Sequence, residues 1–271
     1  MRIALLQMNA GTDPQANAAI LEDAVAKAAS GGAVMLFTPE MSGLLDKNRA
    51  RAAAHIRDEA EDQVIARVRA AAKAHGLWVA LGSLAVLGSS ERLANRSFVI
   101  DASGEIAARY DKMHMFDVDV GSGNNWRESA AYAPGDRAVT VNTPLGKLGL
   151  TICYDLRFPA LHAALSEAGA TVIASPAAFT VPTGQAHWHV LMRARAIENA
   201  AFVVAAAQTG MHEDGRQTYG HSLVVDPWGR VLLDMGDAPG LGFCDLDLAA
   251  IEEARGKVPV IAHRRSIGAV A

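Results

Sequence analysis

The two halves of this 271-residue chain repeat one another. Ser97-Phe98-Val99-Ile100-Asp101-Ala102-Ser103-Gly104 returns 125 positions later as Ser222-Leu223-Val224-Val225-Asp226-Pro227-Trp228-Gly229, and residues 77–81 match 202–206 at the same offset. Upstream, Leu36-Phe37-Thr38-Pro39 lines up with Ile173-Ala174-Ser175-Pro176 at an offset of 137, and residues 3–8 with 148–153 at 145. Four matches in one order describe a duplicated α-β-β unit whose second copy has shorter connections. Short apolar runs at 3–8, 34–38, 77–86, 97–100, 148–152, 171–175, 202–207 and 223–225 read as strands. The stretches 14–30, 61–75, 159–168 and 184–200 carry apolar residues at three-to-four spacing and read as helices. The alternation predicts an α/β fold in one domain, residues 1–271, with two sheets face to face and helices outside.

Composition removes several classes of function. Against 29 Asp and Glu stand 25 Lys and Arg, a net charge of −4, so the chain offers no basic field for nucleic acid. No uncharged apolar stretch approaches the roughly 20 residues that span a bilayer, so no membrane partner is expected. Met1 to Met8 has one charge and a short apolar run before Asn9-Ala10-Gly11, which reads as a first strand rather than a secretory signal. Cys153 and Cys244 have no paired spacing for a structural zinc site and nothing supports a disulfide between them, which fits the reducing cytoplasm. His187 and His189 lie two apart on a predicted helix and point to different faces, so together with His212 and His221 they give no metal site. No cofactor is expected. The polar stretch 113–136, with Gly121-Ser122-Gly123-Asn124-Asn125 inside it, reads as a long loop of the kind that serves function.

Ligands of α/β sheets sit beyond the carboxyl ends of strands, and three reactive residues fall there. The strand at 34–38 ends at Pro39-Glu40, the one at 148–152 at Cys153, and a hairpin strand at 106–110 at Asp111-Lys112. In the repeat, Cys153 is equivalent to Met8 and Glu40 to Ala177, so the scaffold does not itself require these residues. A cysteine at a strand end before a helix is expected to gain thiolate character from the helix start and from nearby cations. Glu40 could take its proton, while Lys112 and the backbone N–H after Cys153 could hold the oxyanion formed when sulfur attacks a carbonyl or nitrile carbon. Taken singly, Cys153 reads as a small core residue, Glu40 as a helix-start carboxylate and Lys112 as an exposed loop charge.

Thr38-Pro39-Glu40, Tyr110-Asp111-Lys112-Met113-His114 and Thr151-Ile152-Cys153-Tyr154-Asp155-Leu156-Arg157-Phe158-Pro159 resemble the three signature blocks of the nitrilase superfamily of carbon–nitrogen hydrolases. The resemblance continues through Ser175-Pro176-Ala177-Ala178-Phe179, Arg193-Ala194-Arg195-Ala196-Ile197-Glu198-Asn199 and the Gly220-His221-Ser222 to Gly229 hairpin. It implies a four-layer αββα sandwich with internal pseudo-two-fold symmetry that assembles through its helical face, as a homodimer or higher oligomer. It also implies Glu40 as general base, Cys153 as the nucleophile that forms a thioester, and Lys112 as the residue that stabilises the tetrahedral intermediate. Glu128, in Arg127-Glu128-Ser129 before Pro134-Gly135, takes the place of a second, supporting glutamate.

Within the superfamily, His187-Trp188 after Thr183-Gly184, Gln208-Thr209-Gly210-Met211-His212, Tyr219-Gly220-His221 and His263-Arg264-Arg265 are most similar to the deaminated glutathione amidase branch. That branch cleaves the amide joining 2-oxoglutarate to cysteinylglycine. The alternatives are an omega-amidase acting on 2-oxoglutaramate, another small-amide or N-carbamoyl hydrolase, and a non-catalytic binding protein on the same scaffold. The intact Glu-Lys-Cys set speaks against the last, and Tyr154-Asp155, where nitrilases proper carry Trp-Glu, speaks against nitriles. Arg157 is the candidate clamp for the carboxylate of a 2-oxo acid, because a guanidinium can grip a carboxylate with two parallel hydrogen bonds. Tyr154, Phe179 and Thr183 complete the candidate substrate-binding residues.

Overall fold

A computed structural model describes residues 1–88, 92–119 and 125–268. The first half runs β1 (Arg2–Gln7), α1 (Pro14–Ser30), β2 (Met35–Phe37), α2 (Arg49–Ala53), α3 (Gln63–His75), β3 (Trp78–Leu87), β4 (Leu93–Ile100) and β5 (Ile106–Asp111). A small hairpin, β6 (Asp117–Asp119) and β7 (Asn125–Arg127), and a 3-10 turn at Glu128–Ala130 then lead to β8 (Thr140–Thr143). The second half runs β9 (Gly146–Leu150), a 3-10 turn (Cys153–Arg157), α4 (Pro159–Glu167), β10 (Val172–Ala174), α5 (Val181–Asn199) and β11 (Phe202–Ala205). It ends with β12 (Thr209–Met211), β13 (Gln217–Tyr219), β14 (Leu223–Val225), β15 (Val231–Asp234), β16 (Gly240–Asp245) and α6 (Ala249–Lys257).

The repeat is visible in the strand orders, β16-β1-β2-β3-β4-β5 in one sheet and β15-β14-β11-β10-β9-β8 in the other. β1 to β5 correspond in order to β9, β10, β11, β14 and β15, three parallel strands followed by an antiparallel pair. The pairs β1–β2 and β9–β10 share one register at the offsets read from sequence, as do β4–β5 and β14–β15. The third strands differ by one residue from that reading. Trp78 and Phe202, not Leu77 and Phe202, stand opposite the equivalent Met35 and Val172, because uniform Ala/Val runs do not fix a register by themselves. Each sheet gains a sixth, antiparallel strand beside its first, from β16 on β1 and from β8 on β9.

Alternation along the strands builds the layers. Ile3, Leu5, Met35 and Phe37 join Leu148, Leu150 and Val204 in the core between the sheets, whereas Ala4, Leu6 and Leu36 turn to Leu21, Val25 and Val68 on α1 and α3. α4 and α5 form the matching layer on the second sheet. Helix α1 begins where the sequence places it because the Asp13 side chain accepts the Gln15 N–H and Pro14 has no N–H to satisfy. Among the described residues, no helix is long and apolar enough to cross a membrane. The expected loop at 113–136 instead contains the β6–β7 hairpin, whose Trp126 packs against Phe116; of the run 121–125 only Asn125 lies within the described residues.

His162 on α4 is fully buried, and burial pulls its imidazole down to about 4, opposed in part by the bond it donates from Nδ1 to the Phe158 carbonyl. The folded protein keeps this ring neutral while the unfolded chain takes up a proton below about pH 6.5. Stability is therefore expected to fall as pH drops from about 6.5 towards 4, by about 3 kcal/mol from this residue. Urea denaturation across that range should show a shallower fall in His162→Phe than in the unsubstituted protein, and parallel curves would remove His162 from the acid response.

Candidate active site

Glu40 stands in the turn after β2, and β3 makes room for that turn. A bulge between Leu81 and Leu84 turns Gly82 towards it, where an added Cβ would lie 2.0 Å from the Thr38 carbonyl oxygen. The Gly82 N–H donates to Thr38 Oγ1 at 2.9 Å, and Ser42 N–H donates to the Ser83 carbonyl at 3.0 Å, which pins both ends of the turn. The Glu40 carboxylate is buried. Its Oε2 accepts the Ala178 N–H at 3.0 Å, and its Oε1 accepts Lys112 Nζ at 2.9 Å and Asn95 Nδ2 at 3.0 Å.

Lys112 follows β5 and is fixed through its backbone, its N–H donating to Asn95 and its carbonyl accepting from Gly135. Its ammonium meets three carboxylate oxygens, Glu40 Oε1 and both oxygens of Glu128 at 3.0 and 2.9 Å, which uses all its donors. Burial works to discharge the lysine, but Glu128 and Glu40 outweigh it and hold the ammonium charged well above the ordinary lysine range. Glu128 opens the 3-10 turn after β7 and is fixed by the Phe116 N–H at 2.7 Å and by Asn95 Nδ2 at 3.2 Å.

Cys153 begins the 3-10 turn after β9 with φ +48, a conformation costly for a side chain with a Cβ. Bonds on both sides keep it there. Its N–H donates to the Pro176 carbonyl at 2.8 Å, while Asp155 accepts the Ile152 N–H at 2.9 Å and Tyr110 Oη at 2.7 Å. Asp155 also accepts the His114 N–H at 3.0 Å, so it ties the turn to the chain beyond Lys112. Asp111, next to Lys112, instead pairs with Arg96.

The thiol does not behave as the sequence suggested. Burial raises its pKa well above the usual value, the Glu40 carboxylate raises it further, and Lys112 only partly opposes them. The helix proper begins at Pro159, beyond the 3-10 turn, and the two carboxylates already exceed the one ammonium, so a thiolate would add a second uncompensated charge. The resting site is a neutral thiol facing a carboxylate.

Glu40, Lys112, Glu128 and Cys153 thus come together from both halves of the repeat. Tyr154 lies on the same turn, edge-on to Phe116 and Phe158. Arg157, at the end of that turn, is half-buried over the rings of Tyr154 and Phe179, 5.9 and 5.5 Å from their centroids, with His187 Nδ1 at 3.3 Å. Among the described residues no carboxylate pairs with it. Thr183 is engaged elsewhere, its hydroxyl bonded to Thr180 Oγ1 and the Thr180 carbonyl in the first turn of α5.

Asn95 is the group the sequence reading missed. Its amide nitrogen bridges Glu40 and Glu128, and its Oδ1 is buried with no partner among the described residues; two carboxylates fix this orientation, because the flipped amide would turn its oxygen onto them. In the sequence it lies just before the run read as a strand at 97–100, beside Arg96 and Ser97, and carries no signal of its own. Gln208 is a second such group, its Nε2 donating to the Glu40 carbonyl at 3.0 Å and its Oε1 accepting the Ala10 N–H.

Two sheets face to face between helix pairs, with these groups gathered at the strand ends, define a hydrolase of the nitrilase-superfamily sandwich type. Residues 2–256 match the carbon-nitrogen hydrolase family, and the chain belongs to it. Among curated relatives, the deaminated glutathione amidase of Yersinia enterocolitica is 39% identical over 271 residues, covering 99% of this chain and 94% of the relative. The human deaminated glutathione amidase is 37% identical over 268 residues, covering 97% and 82%. Among solved structures, the Caenorhabditis elegans NitFhit protein superposes with a TM-score of 0.90 at 37% identity, over 97% of this chain and 65% of that longer one. A variant of the amidase from Nesterenkonia sp. AN1, with acrylamide added at its active-site cysteine, superposes with a TM-score of 0.80 at 30% identity, covering 96% and 98%.

Proposed function

We propose that the chain hydrolyses the amide of deaminated glutathione to 2-oxoglutarate and cysteinylglycine through a thioester on Cys153, without a cofactor. The observation that carries the chemistry is the buried Cys153 thiol facing Glu40, with Lys112 beside both. The substrate is supported by near-full-length relatives that carry that activity in their names and by Arg157, charged and half-buried at the end of the nucleophile's own turn.

As sulfur bonds to the carbonyl carbon, Glu40 takes the thiol proton, so the thiolate need never exist free. The carbonyl oxygen becomes an oxyanion, held by the Lys112 ammonium, which turns one N–H from Glu128 towards it, and by the N–H of Tyr154, the second residue of the turn. The C–N bond then breaks, and Glu40 returns the proton to the departing amine. Water enters, Glu40 removes one of its protons as its oxygen bonds to the acyl carbon, the C–S bond then breaks to release the carboxylic acid, and the proton passes from Glu40 to Cys153 Sγ. Glu128 and Asn95 hold Lys112 and Glu40 in place through both halves.

Arg157 would grip the 2-oxo-acid carboxylate, with Tyr154 and Phe179 shaping the pocket beneath it. Arg157→Lys keeps the charge but loses the planar fork. It is expected to lower kcat/KM for deaminated glutathione about 10- to 100-fold, mainly through KM, and to leave a small uncharged amide nearly unaffected. Equal losses on both substrates would remove Arg157 from carboxylate recognition. The reading as a whole is tested by assaying deaminated glutathione beside 2-oxoglutaramate. A preference for the first supports it, and activity confined to the second makes the chain an omega-amidase.

A second copy of the chain is the partner proposed for the helical face, where Val190, Ile197, Trp228 and Leu232 are exposed together on α5 and the β14–β15 hairpin. Sedimentation should give a dimer that Val190→Asp weakens. The thiol chemistry fits a reducing compartment, which we take to be the cytoplasm.

A further inference from the structure

The edge of the second sheet brings together three side chains that the chemistry above does not use. His189 on α5, His221 between β13 and β14, and Asp234 at the end of β15 each offer a ligand atom, and these atoms lie within 4.8 Å of one another. His189 Nε2 is 2.8 Å from Asp234 Oδ2, and His221 Nδ1 is 2.9 Å from Asp234 Oδ1. His187 does turn away from His189, towards Arg157, as its spacing required. What the sequence concealed is that the other two ligands arrive from the β14–β15 hairpin and the link before it.

The cluster is held from outside. His221 has φ +55, a conformation kept by its N–H donating to the Gly236 carbonyl at 2.6 Å and by its own carbonyl accepting Trp188 Nε1 at 2.8 Å. Its ring stacks on Tyr219 with centroids 4.4 Å apart, and Asp234 Oδ1 also accepts the Gly236 N–H at 3.0 Å. The three side chains are each about a third exposed, at 35%, 27% and 32%, which leaves an ion a way in and a place for water.

We propose that His189, His221 and Asp234 bind one late first-row divalent cation, of which zinc is the natural occupant, with solvent in the remaining position. Two imidazoles and one carboxylate select this class over calcium and magnesium, which take oxygen ligands. Ligands at about 2.0 Å around a tetrahedral ion stand about 3.3 Å apart, so the two N–O separations need to open by only a few tenths of an ångström. The ion would join α5 to the β14–β15 hairpin, and through the Trp188–His221 bond it would brace the ring that packs on Phe179, 4.7 Å between centroids. Binding should therefore stiffen the wall behind Arg157 without touching Cys153.

The test is cobalt titration of the full-length Cys153→Ala protein, which removes the competing thiol. One equivalent should produce the ligand-field bands of a tetrahedral nitrogen–oxygen centre without a sulfur charge-transfer band, and both Asp234→Asn and His189→Gln should abolish them. In the unsubstituted protein, zinc should shift the imidazole resonances of two of the nine histidines and raise the thermal midpoint. Absence of the bands at one equivalent, bands that survive both substitutions, or zinc shifts confined to other histidines would each overturn the proposal.

Discussion

Cys153→Ala is expected to lower turnover at least about 10⁴-fold while leaving the fold intact. The side chain lost is small, and the turn that carries it is held by groups that remain: the Pro176 carbonyl, the Asp155 carboxylate and the Tyr110 hydroxyl. Without sulfur no thioester forms, and water at that position would have to attack the amide directly. Because the resting thiol is neutral, Glu40→Gln should fall nearly as far, having kept the nucleophile and lost its base. Iodoacetamide labelling separates the two. Glu40→Gln should retain a Cys153 that alkylates slowly, whereas Cys153→Ala takes up no label there. Wild-type-like hydrolysis by Cys153→Ala would end the thioester mechanism.

Lys112→Met is expected to remove activity and also to destabilise the fold by about 3–5 kcal/mol. The lysine is the cation between two largely buried carboxylates, with side-chain exposures of 2% for Lys112, 6% for Glu40 and 13% for Glu128. Taking it away leaves both acids facing each other across Asn95 with no cation between them. Adding Glu128→Gln to Lys112→Met should therefore restore part of the lost stability but none of the activity, since no cation remains for the oxyanion. Chemical denaturation of the single and double variants measures this directly, and purely additive losses would contradict the coupling.

The scaffold was legible in the sequence where one physical signal dominated. The apolar run at 3–8 became β1 and the three-to-four spacing at 14–30 became α1, while the two faces of β1, apolar on both sides, were assigned only by the layers that cover them. The short strands β6, β7, β12 and β13 escaped because three residues with polar neighbours carry no period, and β3 slipped by one position because Ala and Val are nearly interchangeable in a buried run. Within the site, Glu40, Lys112 and Cys153 were visible as reactive residues at strand ends. Asn95 and the Ala178 N–H were not, since the first is an ordinary strand residue and the second belongs to a backbone that any sequence supplies. The protonation of the thiol depends on burial and on the charges across the sheet interface, which only the assembled halves define.

The pairing of β16 with β1 also bears on how the chain reaches this state on the ribosome. Residues 2–7 are made well before their neighbours at residues 240–245, so the edge of the first sheet stays open while everything between them is synthesised. The second sheet has no such delay, because β8 lies directly before β9 and all its strands are made in one continuous stretch. A stalled or shortened polypeptide would leave the backbone groups of β1 available to any passing strand, and its handling by chaperones would be governed by that interval.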